Sequence, residues 1–158
     1  MKHLWAPWRM AYIKTFRRGG CVFCQALAEP SDGVENLIVF RGNNAFVILN
    51  RFPYTSGHVM ILPYKHAPHL DDLDPETRAE MFELVNQATL VLQEIYKPQG
   101  FNIGINIGEA AGAGIEEHIH IHIVPRWMGD TNYMTSVGQT RVVPEPLDET
   151  YRQVKSVW

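Results

Sequence analysis

The stretch EEHIHIHIVP, residues 116–125, alternates histidine with isoleucine, and the reading of the whole chain turns on it. Side chains that repeat with a period of two point to opposite faces of a β-strand. The pattern predicts a half-buried strand with Ile119, Ile121 and Ile123 in a core and His118, His120 and His122 on the other face. Neighbouring histidines on that face stand roughly 6 to 7 Å apart, twice the strand rise, so each is expected to work without touching the next. A merely solvated polar face is a poor account of three histidines in five positions. Two chemical readings remain: a metal held on a His-x-His strand, or imidazole acting as nucleophile and acid/base.

Working outward, LIVFR and AFVILN flank Gly42-Asn43-Asn44, which has hairpin turn chemistry. HVMILP is a third strand that stops at Pro63. Asp74-Pro75-Glu76 carries a cap, a proline at the first helical position and an acidic first turn. Met81, Leu84, Val85, Ala88, Val91, Leu92 and Ile95 then recur at helical spacing, which predicts a long amphipathic helix ending at Pro98-Gln99-Gly100. FNIGINIG reads as a fourth alternating strand, and the loop EAAGAGIEE leads to the histidine strand. Beyond Pro125 the expectation is loops, a short strand at residues 140–143 and a short terminal helix.

The sum is an α+β fold, a mostly antiparallel sheet with one long helix and shorter helices packed on one face. No repeat or long linker interrupts it, so a single domain is expected over 1–158. Residues 1–30 form an N-terminal extension, 34–127 the core and 128–158 a C-terminal tail. Trp5, Trp8, Tyr12 and Phe16 are expected to wrap the extension over the core.

With 158 residues, 46% hydrophobic and 20% charged, the composition is ordinarily globular. The net charge of −3 and scattered basic residues argue against nucleic acid as a partner. No apolar run approaches the roughly 20 residues that cross a bilayer, and Pro7 and Arg9 interrupt the start, so no membrane partner and a cytoplasmic location are expected.

Cys21 and Cys24 are the chain's two cysteines, too close to staple a fold. Such spacing suggests a metal site, a redox pair or two buried thiols. LPYKHAPH supplies His66 or His69, and one triad histidine would complete a closed Cys2His2 zinc site of structural type. The remaining histidines would be free for chemistry. Gly108, Gly112 and Gly114 let backbone approach a ligand, which suits a phosphate.

The run His118 to Pro125, with Asn106-Ile107-Gly108, Asn50 and Gly57-His58-Val-Met-Ile-Leu-Pro, resembles the histidine triad (HIT) superfamily of nucleotide hydrolases and transferases. LWAPWRMAYI, CVFC and VPRWMGDTNYM look most like its bacterial branch containing diadenosine tetraphosphate phosphorylases. The resemblance implies that His120 is the nucleophile, attacking an α-phosphorus to form a nucleotidyl-histidine. It implies that His122 hydrogen-bonds within the site and helps fix the tautomer of His120, with His58 in support. It implies that Asn50 binds ribose, that Ile48 and Met60 flank the base, and that Asn106 lies near the reacting histidine. His118 would join Cys21, Cys24 and His66 on zinc, with His69 the alternative to His66.

One departure stands out. Many hydrolases of the family carry glutamine followed by Ser or Thr four residues before the first triad histidine, and here Gly114 and Ile115 occupy that place. The resemblance implies a dinucleoside polyphosphate substrate with the amides of Gly112, Gly114 and Ile115 near the phosphates, and the departure leaves room for phosphate as well as water as the acceptor. Phosphoramidate or adenylylated-adduct hydrolysis and a non-catalytic nucleotide sensor are the alternatives. A structural zinc, no organic cofactor and a homodimer complete the expectations.

Overall fold

The computed structural model describes residues 20–140 and 142–158. It contains strands β1 (Ile38–Arg41), β2 (Ala45–Leu49), β3 (Val59–Pro63), β4 (Gly100–Ile105) and β5 (Ile121–Arg126). Helices α1 (Val22–Ala28), α2 (Pro75–Tyr96), α3 (Tyr133–Ser136) and α4 (Leu147–Val157) complete it, with 3-10 turns at Leu70–Asp72 and Glu109–Ala111. The sheet is antiparallel throughout, in the order β1-β2-β3-β5-β4.

Local chemistry sets most boundaries. Gly42 N–H donates to the Ala45 carbonyl at 2.8 Å to close the β1–β2 turn, and the Glu80 carboxylate on α2 accepts from the N–H groups of Asn43 and Asn44. Asp74 caps α2 by accepting from Thr77 N–H at 2.7 Å. Thr77, Met81, Leu84, Val85, Ala88 and Leu92 form its buried stripe, and α2 lies against β2, β3 and β5. At the other end of the chain α4 returns to α2 and β1, burying Tyr151 and Val154. Tyr151 Oη and Lys155 Nζ donate to the carbonyls of Ile38 and Val39.

The histidine strand departs from its expectation. The strand begins at Ile121, so His118 and His120 precede it. Ladder pairs with β3 stop at Ile61↔Ile121, because Pro63 has no N–H to offer and ends the pairing. Ile119 N–H instead donates to the Ala67 carbonyl at 2.7 Å. Both sides of the segment are also covered: His118 and His120 are as buried as the isoleucines. Helix α1 sets Phe23 against His118 and His120, and α2 lies against β2, β3 and β5, within the α+β arrangement expected.

The fourth strand forms as expected, and β4 lies at the edge of the sheet with Asn102, Ile103 and Gly104 exposed. One further expectation is corrected. Thr140, Val142 and Val143 form no strand, and Arg141 lies outside the described residues. The expected wrapping of Trp5, Trp8, Tyr12 and Phe16 also lies outside the described residues.

Candidate functional site

The site is laid out by strand register. Ile48, Met60, His122 and Gly104 are abreast on neighbouring strands, paired Ile48↔Met60, Met60↔His122 and Gly104↔His122. His58 precedes β3 by one residue and reaches His122, with Nε2 2.9 Å from His122 Nδ1. Gly57 has φ +76, and a Cβ there would stand 2.9 Å from Tyr96 Cε2, so only glycine lets this turn pass beneath α2.

Hydrogen bonds assign the imidazole tautomers. His120 Nδ1 lies 2.8 Å from the His118 carbonyl, which can only accept, so Nδ1 carries the proton and Nε2 keeps its lone pair. Tyr54 N–H donates to His58 Nδ1 at 3.2 Å, which makes His58 Nε2 the donor to His122 Nδ1. His122 Nε2 then bears the proton and can donate to an oxygen. His122 is lowered to about 4, chiefly by burial and secondly by the nearby His120, and is neutral at pH 7. Burial lowers His120 in the same direction, against the bond to the His118 carbonyl. A neutral imidazole with a directed lone pair is a competent nucleophile.

Two expectations change here. The tautomer of His120 is set by the His118 backbone, not by His122. The rings also touch, with His120 and His122 in an edge contact at 4.8 Å between centroids. A short irregular segment before the strand brings them closer than a regular pleat would.

A cavity of about 400 Å³ opens beside them, within the ordinary size of small-molecule sites. Ile48, Asn50, Met60, Asn106, Gly112, Gly114, Ile115, His120 and His122 all line it. Asn50 Oδ1 accepts from Phe52 N–H at 2.9 Å, which leaves its NH2 as a donor for a ligand hydroxyl. Gly112 has φ +82, the left-handed conformation that turns the loop at the cavity wall.

Behind the triad, the ligand atoms of Cys21, Cys24, His66 and His118 all lie within 4.8 Å of one another. Such a group could hold a metal ion. His118 Nε2 donates to the Pro63 carbonyl at 2.9 Å, which leaves Nδ1 facing the Cys21 and Cys24 sulfurs at 3.3 and 3.7 Å. His66 Nδ1 is 3.4 Å from Cys24 Sγ. Tetrahedral zinc with usual bond lengths would set sulfur and nitrogen about 3.6 Å apart, so these spacings fit. The Cys21 thiol is pushed up to about 11, first by burial, so its thiolate form requires a cation beside it. His69 stands outside the cluster, at the cap of the turn Leu70–Asp72, where its N–H donates to Asp72 Oδ2.

Several contributors lie outside the motifs. Phe23, between the two cysteines, packs on His118 and His120 with centroids at 5.6 and 5.3 Å. Tyr54 contacts His58 and His122 at 4.5 and 5.9 Å besides setting the tautomer of His58. An aromatic residue inside Cys-x-x-Cys, and another just before a Gly-His strand entry, were the available signals.

A HIT domain model matches residues 33–128. An AP-4-A phosphorylase of Mycobacterium tuberculosis is 35% identical over 165 aligned positions, covering all of this chain and 85% of that protein. An asymmetrical bis(5'-nucleosyl)-tetraphosphatase of Schizosaccharomyces pombe is 31% identical over 97 positions, 61% of this chain and 53% of that one. Among solved structures, a zinc-bound histidine triad family protein from Mycobacterium smegmatis superposes with a TM-score of 0.69 at 30% identity, covering 87% of this chain and 92% of that one.

Proposed function

The chain belongs to the HIT domain family, and from that premise we propose that it cleaves dinucleoside polyphosphates of the diadenosine tetraphosphate type through a nucleotidyl-histidine on His120. The observation that carries the reading is the 2.8 Å bond from His120 Nδ1 to the His118 carbonyl, which leaves Nε2 as the nucleophile beside a nucleotide-sized cavity. Ile48 and Met60 flank the base and the Asn50 amide meets the ribose. Asn106 and the backbone of Gly112, Gly114 and Ile115 face the phosphates, where fixed N–H groups stabilise developing charge.

Nε2 of His120 attacks the phosphorus bearing the first nucleoside. The P–O bond to the remaining phosphates breaks, and that chain departs with the electron pair. His122 Nε2–H, held by His58, donates a hydrogen bond to a phosphate oxygen during the step. An acceptor oxygen then attacks the same phosphorus and the P–N bond breaks, returning His120 neutral. Phosphate as acceptor yields ADP, and water yields AMP.

Phosphate is the acceptor we favour. Gly114 and Ile115 leave no side-chain amide in the loop to orient water, and the mycobacterial relative named for phosphorylase activity aligns with the whole chain. The metal that Cys21, Cys24, His66 and His118 could hold is assigned as zinc, which with four protein ligands supplies structure and leaves no open position.

The test is incubation with diadenosine tetraphosphate, with and without inorganic phosphate, resolving ADP from AMP. ADP that appears only with phosphate supports the reading. AMP in both reactions shows water to be the acceptor, and no product in either removes the substrate assignment.

A further inference from the structure

A second and larger cavity, about 960 Å³, lies beyond the histidines. Tyr54, Asn106 and His122 line both cavities, whereas His120 lines the smaller alone. The two spaces therefore meet at the phosphate-facing residues. In a displacement on phosphorus the leaving chain departs roughly in line with the incoming nucleophile. It must run away from His120, past His122 and Asn106, and into the larger space.

The wall chemistry says what arrives there. Its arginine, Arg126, is bound by Asp130 through two contacts of 2.6 and 2.7 Å, and Asn102 Oδ1 accepts from it at 2.5 Å. Glu145 is a second carboxylate in the same wall. With its cation neutralised and an acid in excess, this wall disfavours polyphosphate and accepts a neutral group. Trp127 and Tyr54 offer aromatic surface, which suits the face of a base. Ser56 points to a ligand independently: only 8% exposed, it lines this cavity, and its hydroxyl alone, among buried side-chain polar atoms of the described residues, has no hydrogen-bond partner. A buried hydroxyl without a partner is costly, and a ribose or base edge would satisfy it.

The geometry points to this cavity as the subsite for the second nucleoside of the substrate, so that the chain selects two-nucleoside over one-nucleoside polyphosphates. The inference rests on the proposed cleavage reaction. Its test compares diadenosine tetraphosphate with adenosine tetraphosphate, which keeps the phosphates and lacks the second nucleoside.

The wild type is expected to show a kcat/KM at least about tenfold higher for the two-nucleoside compound, in keeping with the value of one stacked base. Trp127→Ala, which removes the aromatic face, and Val142→Trp, which adds bulk at an exposed position of the wall, should each bring the ratio toward unity. They should do so by raising KM for diadenosine tetraphosphate, while adenosine tetraphosphate is cleaved as before. Val142→Trp keeps the test valid if the tryptophan variant folds poorly.

Equal wild-type rates on the two compounds, or a preference unmoved by Val142→Trp, would overturn the subsite. A changed oligomeric state in Val142→Trp with the preference intact would instead give the cavity to a second copy of the chain. Cleavage of neither compound would sink the reaction itself, a distinct failure.

Discussion

At the scale of single residues, the account rests on protons whose positions are forced. A carbonyl can only accept, so the His118 carbonyl orients His120, and Tyr54 N–H orients the pair His58 and His122. Glutamine in place of His122 can accept from His58 and donate to phosphate, yet takes up no proton. His122→Gln is therefore expected to keep activity within about 10²-fold of wild type, the lower range for loss of a positioned proton donor. The same variant carries a pH signature. With its folded value lowered to about 4, against about 6.5 unfolded, His122 binds protons more readily in the unfolded chain. Its contribution is complete above about pH 6.5 and is lost as the pH falls toward 4. Chemical denaturation across that window should show a shallower loss of stability in His122→Gln than in wild type. A parallel slope would contradict the assigned shift. That His118, His120 and His122 gather at one site was legible from EEHIHIHIVP. The tautomers were not, because they depend on Tyr54, a loop residue four positions before His58 and far in sequence from the triad.

At the scale of elements, α1 and the start of the histidine segment are tied through one cluster. His118 gives its side chain to Cys21 and Cys24 and its carbonyl to His120, so the cluster that could hold a metal and the proposed nucleophile meet at one residue. Purified wild type is expected to hold one zinc per chain. His118→Ala and Cys24→Ala should lose it and unfold at lower temperature, while His120→Ala should retain it. Loss of metal in His120→Ala would return all three histidines to a single metal site. Strand and helix boundaries were legible where turn and cap chemistry is local, as at Gly42-Asn43-Asn44 and at Asp74-Pro75. The onset of β5 was not. It is set by Pro63 on a neighbouring strand, and period-two alternation persists in the extended residues that precede the ladder.

At the scale of the whole molecule, the sheet ends on β4, where Ile103 is 48% exposed. We propose that the homodimer expected from the sequence pairs this edge with the same edge of a second copy. Light scattering is expected to give twice the chain mass for wild type and a single mass for Ile103→Lys, which sets like charges close together where the two edges would pair. A wild-type monomer would remove that surface. The larger cavity was invisible in the sequence, for its walls come from the loop before β3, the end of α2, strands β4 and β5 and the segments that follow β5, which only the fold assembles. Both cavities matter only if His120 carries the nucleotide between two displacements. That is best measured by incubating the protein with diadenosine tetraphosphate lacking added phosphate and quenching in base, where a phosphoramidate survives. Peptide mapping then finds the nucleotidyl group. The account predicts it on the peptide containing His120 and its absence from His120→Ala. Sustained cleavage with no adduct, or an adduct on another residue, would contradict it.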